Sequence, residues 1–97
     1  MATLHIEHPI SDLNTWVTAF HHFGEARANA GVIAQRVHQP VDDQHYIYVE
    51  LDFSSVEGAT SFKQFLESVV WASPENSPGL AGTPNARVLV EVSTGDS

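Results

Sequence analysis

Strict alternation runs through residues 45–53, His-Tyr-Ile-Tyr-Val-Glu-Leu-Asp-Phe. Ile47, Val49, Leu51 and Phe53 fall on one side of an extended chain, with Tyr46, Tyr48, Glu50 and Asp52 on the other. A period of two, rich in β-branched and aromatic residues, predicts a strand with one face on a core. Residues 2–8 repeat the pattern. Leu4 and Ile6 oppose Thr3, His5 and Glu7 until Pro9, which cannot donate to a sheet ladder, stops it. His8-Pro9 and His38-Gln39-Pro40 read as strand ends. Residues 32–39 are extended with less distinct faces, as expected of an edge strand. Arg36 with His38, or Gln35 with Val37, then joins the polar side. Pro40 to Gln44 form a turn, so this strand and the next predict a hairpin. Residues 86–93 are the last strand, with Val88, Val90 and Val92 inward and Arg87, Leu89, Glu91 and Ser93 opposite.

Between the strands the period changes. Leu13, Trp16, Val17, Phe20 and Phe23 recur at helical spacing and predict one helix over about 11–30. Ser11 or Asp12 caps it, and Gly31 closes it. His21, His22, Glu25, Arg27 and Asn29 mark its wetter sides. Ser54 with Glu57 fits a capping box, and Val56, Ala59, Phe62, Leu66, Val69 and Val70 supply the stripe of a second helix. Trp71 lies near its end and Pro74 prevents much continuation. Residues 72–85 then hold three prolines and two glycines with little periodicity, a loop length that often carries function.

Strand, helix, strand, strand, helix, strand predicts an α+β ferredoxin-like sandwich, with antiparallel sheet order 4-1-3-2 and both helices on one face. The 97 residues suit one domain, 1–97, burying roughly 60–70% of its extended surface. Twelve acidic against four basic side chains leave a formal charge of −8, which repels phosphate backbones and argues against nucleic acid. No apolar stretch approaches the ~20 residues of a membrane span, and no signal-peptide pattern opens the chain. Cysteine is absent, which excludes disulfides and thiolate metal sites and suits a cytoplasmic location.

Several segments resemble the dimeric α+β barrel superfamily, the group of antibiotic-biosynthesis-monooxygenase-like proteins. These are Asp12-Leu13-Asn14-Thr15-Trp16 with Phe20, Ala30-Gly31-Val32, Asp42-Asp43, and Leu51-Asp52-Phe53-Ser54-Ser55 leading into Phe62. The resemblance spans nearly the whole chain. It implies a homodimer in which two sheets face each other across a pocket. It also implies oxidation, cyclisation or binding of a small hydrophobic molecule, often with no metal or flavin. Haem-degrading relatives use an asparagine, a tryptophan and a histidine, a trio with no equivalent here.

Candidate chemistry collects on the polar sides of the strands. His5, Glu7, Tyr48, Glu50 and Glu91 form the candidate catalytic group, because imidazole beside carboxylate can move protons and a phenol can orient a substrate. Crowding of Glu7, Glu50 and Glu91 is expected to raise their pKa values. Strand parity alone generates the same residues as a solvated sheet face, so that reading stands beside the catalytic one. The histidine and carboxylates also admit a metal site, but without diagnostic spacing; no cofactor or metal is expected. Tyr46, Leu89 and Trp71 are the candidate ligand-pocket residues, Trp71 serving equally as core or interface. Trp16 with Phe20 reads as core. Two classes of function follow: a cofactor-independent monooxygenase- or cyclase-like enzyme, or a non-catalytic dimeric binding or accessory module. An RNA-binding sandwich lacks its basic and aromatic strand motif, and nothing selects a regulatory amino-acid-binding domain.

Overall fold

The computed structural model describes residues 1–95. Four strands, β1 (Ala2–Pro9), β2 (Val32–His38), β3 (Tyr46–Phe53) and β4 (Asn85–Val90), form one antiparallel sheet in the order β2-β3-β1-β4. This is the ferredoxin-like arrangement expected from the element order. In β1, alternate residues Ala2, Leu4, Ile6 and His8 are buried, and Thr3, His5, Glu7 and Pro9 are half-buried. Leu4 lies between Leu51 of β3 and Val88 of β4, at the centre of the core.

Helices α1 (Leu13–His22), α2 (Gly24–Ala30) and α3 (Val56–Phe65) accompany the sheet. Asp12 caps α1 by accepting the Thr15 N–H, and Ser55 caps α3 by accepting the Gly58 N–H at 3.1 Å. Trp16, Ala59 and Phe62 join the strand residues in the core, while Leu66 and Trp71 pack partly against it. The long helix predicted for 11–30 is broken at Phe23, whose φ of −96° and ψ of 15° leave the α region. Gly31 closes α2 in the left-handed conformation at φ 95°, which costs a glycine little.

The end of α3 differs from a regular helix. Leu66–Val70 form a π turn, and the Trp71 N–H reaches the Leu66 carbonyl at 2.7 Å. A turn of this width brings Trp71 onto the face of Leu66; a 3.6-residue turn would not. β4 stops at Val90, short of the expected end; Val90 keeps the expected face, level with Ala2, but lies at the margin of the core and is exposed, as is Val92. Residues 72–84 are tied to the end of β1. The Ala81 N–H donates to the Pro9 carbonyl, Ser11 donates to Gly79, and Leu80 bridges Ile10. Gly79, at φ 89°, packs so closely on α1 that an added Cβ would lie 3.0 Å from the Trp16 nitrogen. Among the described residues, no helix is long and apolar enough to cross a membrane.

Candidate functional site

The two faces of the sheet carry different chemistry. On the face that no helix covers, seven side chains form one hydrogen-bonded chain. The Thr3 hydroxyl donates to Asp52 at 2.7 Å. Arg36 grips the same carboxylate with Nη1 and Nη2, both at 3.0 Å, and reaches Glu50 with Nε at 3.4 Å. Glu50 meets His5 Nδ1 at 3.1 Å, His5 Nε2 meets Glu7 at 2.9 Å, and the Tyr46 hydroxyl donates to Glu7 at 2.9 Å. Register explains the assembly: β1 pairs His5 with Glu50 and Thr3 with Asp52, and β2 pairs Arg36 with Glu50. The same register settles the parity of β2, placing Arg36 and His38 with Glu50 and Tyr48, and Gln35 and Val37 opposite.

His5, Glu7 and Glu50 are therefore brought together, with Tyr46 at one end. Tyr48 stands beside them, its ring 6.1 Å from His5 and 5.3 Å from Tyr46. Glu91 lies past the end of β4 and is exposed; it does not join the chain. Leu89 is on the same face, level with Thr3. The carboxylates titrate in the direction opposite to the crowding expectation. The His5 bond holds Glu7 below the usual carboxylate range, helped by Tyr46, and the His5 and Arg36 bonds do the same for Glu50. Arg36, then Thr3, hold Asp52 down. The Glu7 bond, against desolvation and with Glu50 beside it, raises His5. The crowding argument fails because each acid faces a cation or a donor and not another acid. Both His5 nitrogens are occupied, one by each carboxylate. Among the described residues, no cluster of three or more histidines and acids is arranged to hold a metal ion.

The other face, under the helices, carries a partly open cavity of about 80 Å³. Its walls are Ile6, Val49 and Leu51 from the sheet and the rings of Trp16, Phe20, Phe23, Phe62, Phe65 and Trp71. Space of this size holds several waters or a small part of a ligand. Trp16 stacks on Phe20 with ring centroids 4.9 Å apart. Of the expected pocket residues, Trp71 lines this cavity, whereas Tyr46 and Leu89 stand across the sheet from it. The π turn delivers Leu66, Val70 and Trp71 to one wall, and the loop adds Asn76, Ser77, Pro78 and Leu80.

Two polar side chains enter this apolar space. His8 is buried at 4% exposure, with Nδ1 2.9 Å from the Pro9 carbonyl and its ring 6.3 Å from Trp16. A carbonyl only accepts, so Nδ1 carries the proton and Nε2 presents a lone pair. Burial pushes the His8 pKa down and favours this neutral form. Arg27 is 7% exposed, not on an exposed flank as its helix position suggested. Its guanidinium lies 3.6 Å over the Phe20 ring, Nη1 donates to the Phe20 carbonyl at 2.6 Å, and Nε donates to Gln35 at 3.0 Å. The helix break supplies that carbonyl, because the ladder of α1 ends there. Arg27 forms no ion pair among the described residues, and burial lowers its pKa.

Sequence reasoning passed over both residues, although each carried a signal. His8 has the parity of Leu4 and Ile6. Arg27 follows Phe20 by seven and Phe23 by four, which is the spacing of the buried stripe.

No protein family matches the chain by sequence, and no curated protein is similar to it. Solved structures are similar in fold. A monooxygenase from the gene ActVA-Orf6 of Streptomyces coelicolor, solved with nanaomycin D, is 14% identical with a TM-score of 0.63, over 96% of this chain and 88% of its own. A dimeric ferredoxin-like protein from an uncultured marine organism is 15% identical with a TM-score of 0.62, over 96% of each chain. Another dimeric ferredoxin-like protein of the same kind of source is 7% identical with a TM-score of 0.58, over 95% of this chain and 97% of its own. The chain thus has the ferredoxin-like α+β fold of these structures, as its sequence led one to expect.

Proposed function

We propose that this protein takes a flat, hydrophobic small molecule into the cavity between helices and sheet, and acts on it as a cofactor-independent monooxygenase- or cyclase-like enzyme. The carrying observation is the cavity itself: six aromatic side chains in its wall, with a neutral imidazole and a guanidinium among them. An apolar pocket with a few convergent polar groups is the usual form of a small-molecule site. The fold neighbour solved with nanaomycin D supports a small-molecule ligand. Under this reading His8 Nε2 is the proton acceptor. Of the catalytic group expected from sequence, which also included Glu91, His5, Glu7, Tyr48 and Glu50 serve the open sheet face instead, where a second copy of the chain covers them. The dimeric neighbours support that arrangement.

A non-catalytic binding module is the second reading. It is favoured by one observation: every polar group of the His5 chain is already engaged within the protomer. Oxygen uptake separates the two. With a hydroxylated polycyclic aromatic compound and air, the enzyme consumes oxygen at a rate proportional to protein, and His8→Phe abolishes it. Binding of such a compound with neither oxygen uptake nor any conversion of the compound would leave the module and refute the enzyme.

A further inference from the structure

We propose that the open face of the sheet is a proton-controlled interface: a second copy of the chain seats on it while His5 is an imidazolium, and the pair loosens when that proton leaves. This rests on a second copy covering that face, and it adds what governs the assembly.

Two hydrogen bonds at His5 need two N–H groups. Nδ1 lies 3.1 Å from Glu50, and Nε2 lies 2.9 Å from Glu7. An ionised carboxylate only accepts, whereas a neutral imidazole has one N–H and one lone pair. Both bonds form together only if the cluster holds one proton beyond a neutral imidazole and two carboxylates. Each acid is also engaged from its other side. The Tyr46 hydroxyl donates to Glu7 at 2.9 Å, and Arg36 Nε donates to Glu50 at 3.4 Å. Donors of this kind keep the acids ionised and leave the extra proton on His5. The His5 pKa is raised accordingly, first by the Glu7 bond.

The groups facing His5 decide what the proton is worth to an interface. β1 supplies Glu7. β3 supplies Glu50 and Asp52, with Tyr46 and Tyr48 as phenols. β2 brings Arg36 and, level with Tyr48, His38; β4 brings Arg87, level with His5. Glu91 lies past the end of β4, outside the cluster. Three carboxylates thus stand against two guanidinium groups. With neutral histidines each face keeps one negative charge in excess, and the His5 imidazolium cancels it. A two-fold pair presses the same face of each copy together, so the excess is doubled at the seam.

Covering the face sharpens the effect. The side chains of His5, Glu7 and Glu50 are 25%, 30% and 34% exposed, so water screens them in the free protomer. A second copy displaces that water, and a carboxylate left there without its cation is far costlier than a paired one. The assembled state therefore holds the His5 proton more tightly than the free protomer does. Association then takes up protons and strengthens as pH falls. Leu89, 41% exposed on the same face, offers an apolar contact that pH leaves alone, so the pair weakens at high pH without vanishing.

The test is the dimer dissociation constant of the full chain, from sedimentation of a dilution series at pH 5.5, 6.5, 7.5 and 8.5 and fixed ionic strength. It should weaken by about tenfold or more from the lowest pH to the highest. His5→Gln, which cannot take the proton, should dimerise weakly at every pH. His5→Lys, which stays charged, should dimerise tightly at every pH. His38→Gln removes the other histidine of this face and should keep the native slope. A native constant that stays within about twofold across the series overturns the proposal while leaving the covered face standing, and needs no variant. A slope that survives in folded His5→Gln and His5→Lys also overturns it. A native chain that is monomeric at every pH and concentration removes the covered face and the proposal together.

Discussion

Two histidines of β1 should pull stability in opposite directions between pH 5 and 8. His5 lies between Glu7 and Glu50, and its folded pKa is raised, first by the Glu7 bond. The folded state thus holds more protons at His5 than the unfolded state. Its contribution is fully present below the unfolded value near 6.5 and is lost as pH rises through the folded one. Arg87 stands opposite on β4 and Tyr48 beside it, but the two carboxylates are its direct partners. His8 behaves in the reverse way. Burial depresses its folded pKa, so its contribution is present above about 6.5 and is lost as pH falls through the folded value. Charge-assisted hydrogen bonds carry about 1.5–3 kcal/mol when enclosed. At 25% exposure of the His5 side chain, screening reduces the expected swing to about 1 kcal/mol. Desolvating an imidazolium at His8, opposed only by the Pro9 carbonyl, has a cost of the same order, about 1–3 kcal/mol. For a chain of 97 residues, 1 kcal/mol moves the melting temperature by about 4–8 °C. The native melt should therefore vary little across this range. His5→Gln exposes the His8 term, and its melting temperature should rise by several degrees from pH 5 to 8. His8→Gln should show the opposite trend. Thermal melts by circular dichroism at five pH values decide the matter, and parallel curves for the two variants would falsify the assignment.

Other outcomes follow from the same geometry. Leu4→Ala, at a site with 0% exposure, should cost about 2–5 kcal/mol in urea unfolding. Leu66→Ala should cost less than Leu4→Ala, because Leu66 is only partly buried and already faces a cavity. Ser55→Ala removes the α3 cap and should cost about 0.5–2 kcal/mol by the same measurement. Gly79→Ala combines a left-handed backbone with a 3.0 Å clash on Trp16 and should lower the melting temperature and loosen the 72–84 segment in hydrogen exchange. Sedimentation at micromolar concentration should give a dimer that Tyr48→Glu dissociates; a native monomer would remove the proposed cover of the open face.

Most of the frame was legible in the chain because a sheet translates parity directly into faces. Ile47, Val49, Leu51 and Phe53 are all buried, and the order of strands followed from two crossovers and a hairpin. Residues whose role depended on a third partner were less legible. Glu7 and Glu50 looked like neighbouring acids, but the registers place His5 between them and Arg36 on the far side of Glu50, which reverses their titration. Nothing in the local sequence announces the β2 register, since it includes a bulge between Val32 and Ala34.

The cavity was hidden for a different reason. Periodicity locates an apolar stripe but cannot tell a filled core from a hollow one, because both present the same residues. Here the hollow arises where regular packing is interrupted. α1 breaks at Phe23 and the α3 ladder widens at Leu66, so Phe20, Phe23, Phe65 and Trp71 line a space they do not fill. One of the two irregularities also supplies a polar fitting, and the end of β1 supplies the other. A break in the ladder frees the Phe20 carbonyl that holds Arg27, and β1 runs on to Pro9, whose carbonyl holds His8. Apolar side chains at positions 8 and 27 would remove two polar residues from the cavity wall. His8→Leu with Arg27→Met should therefore raise the melting temperature while abolishing uptake of the hydroxylated aromatic compound, the exchange expected where stability is given up for a site. A double variant that melts lower than the native chain would show that both residues are there for the fold.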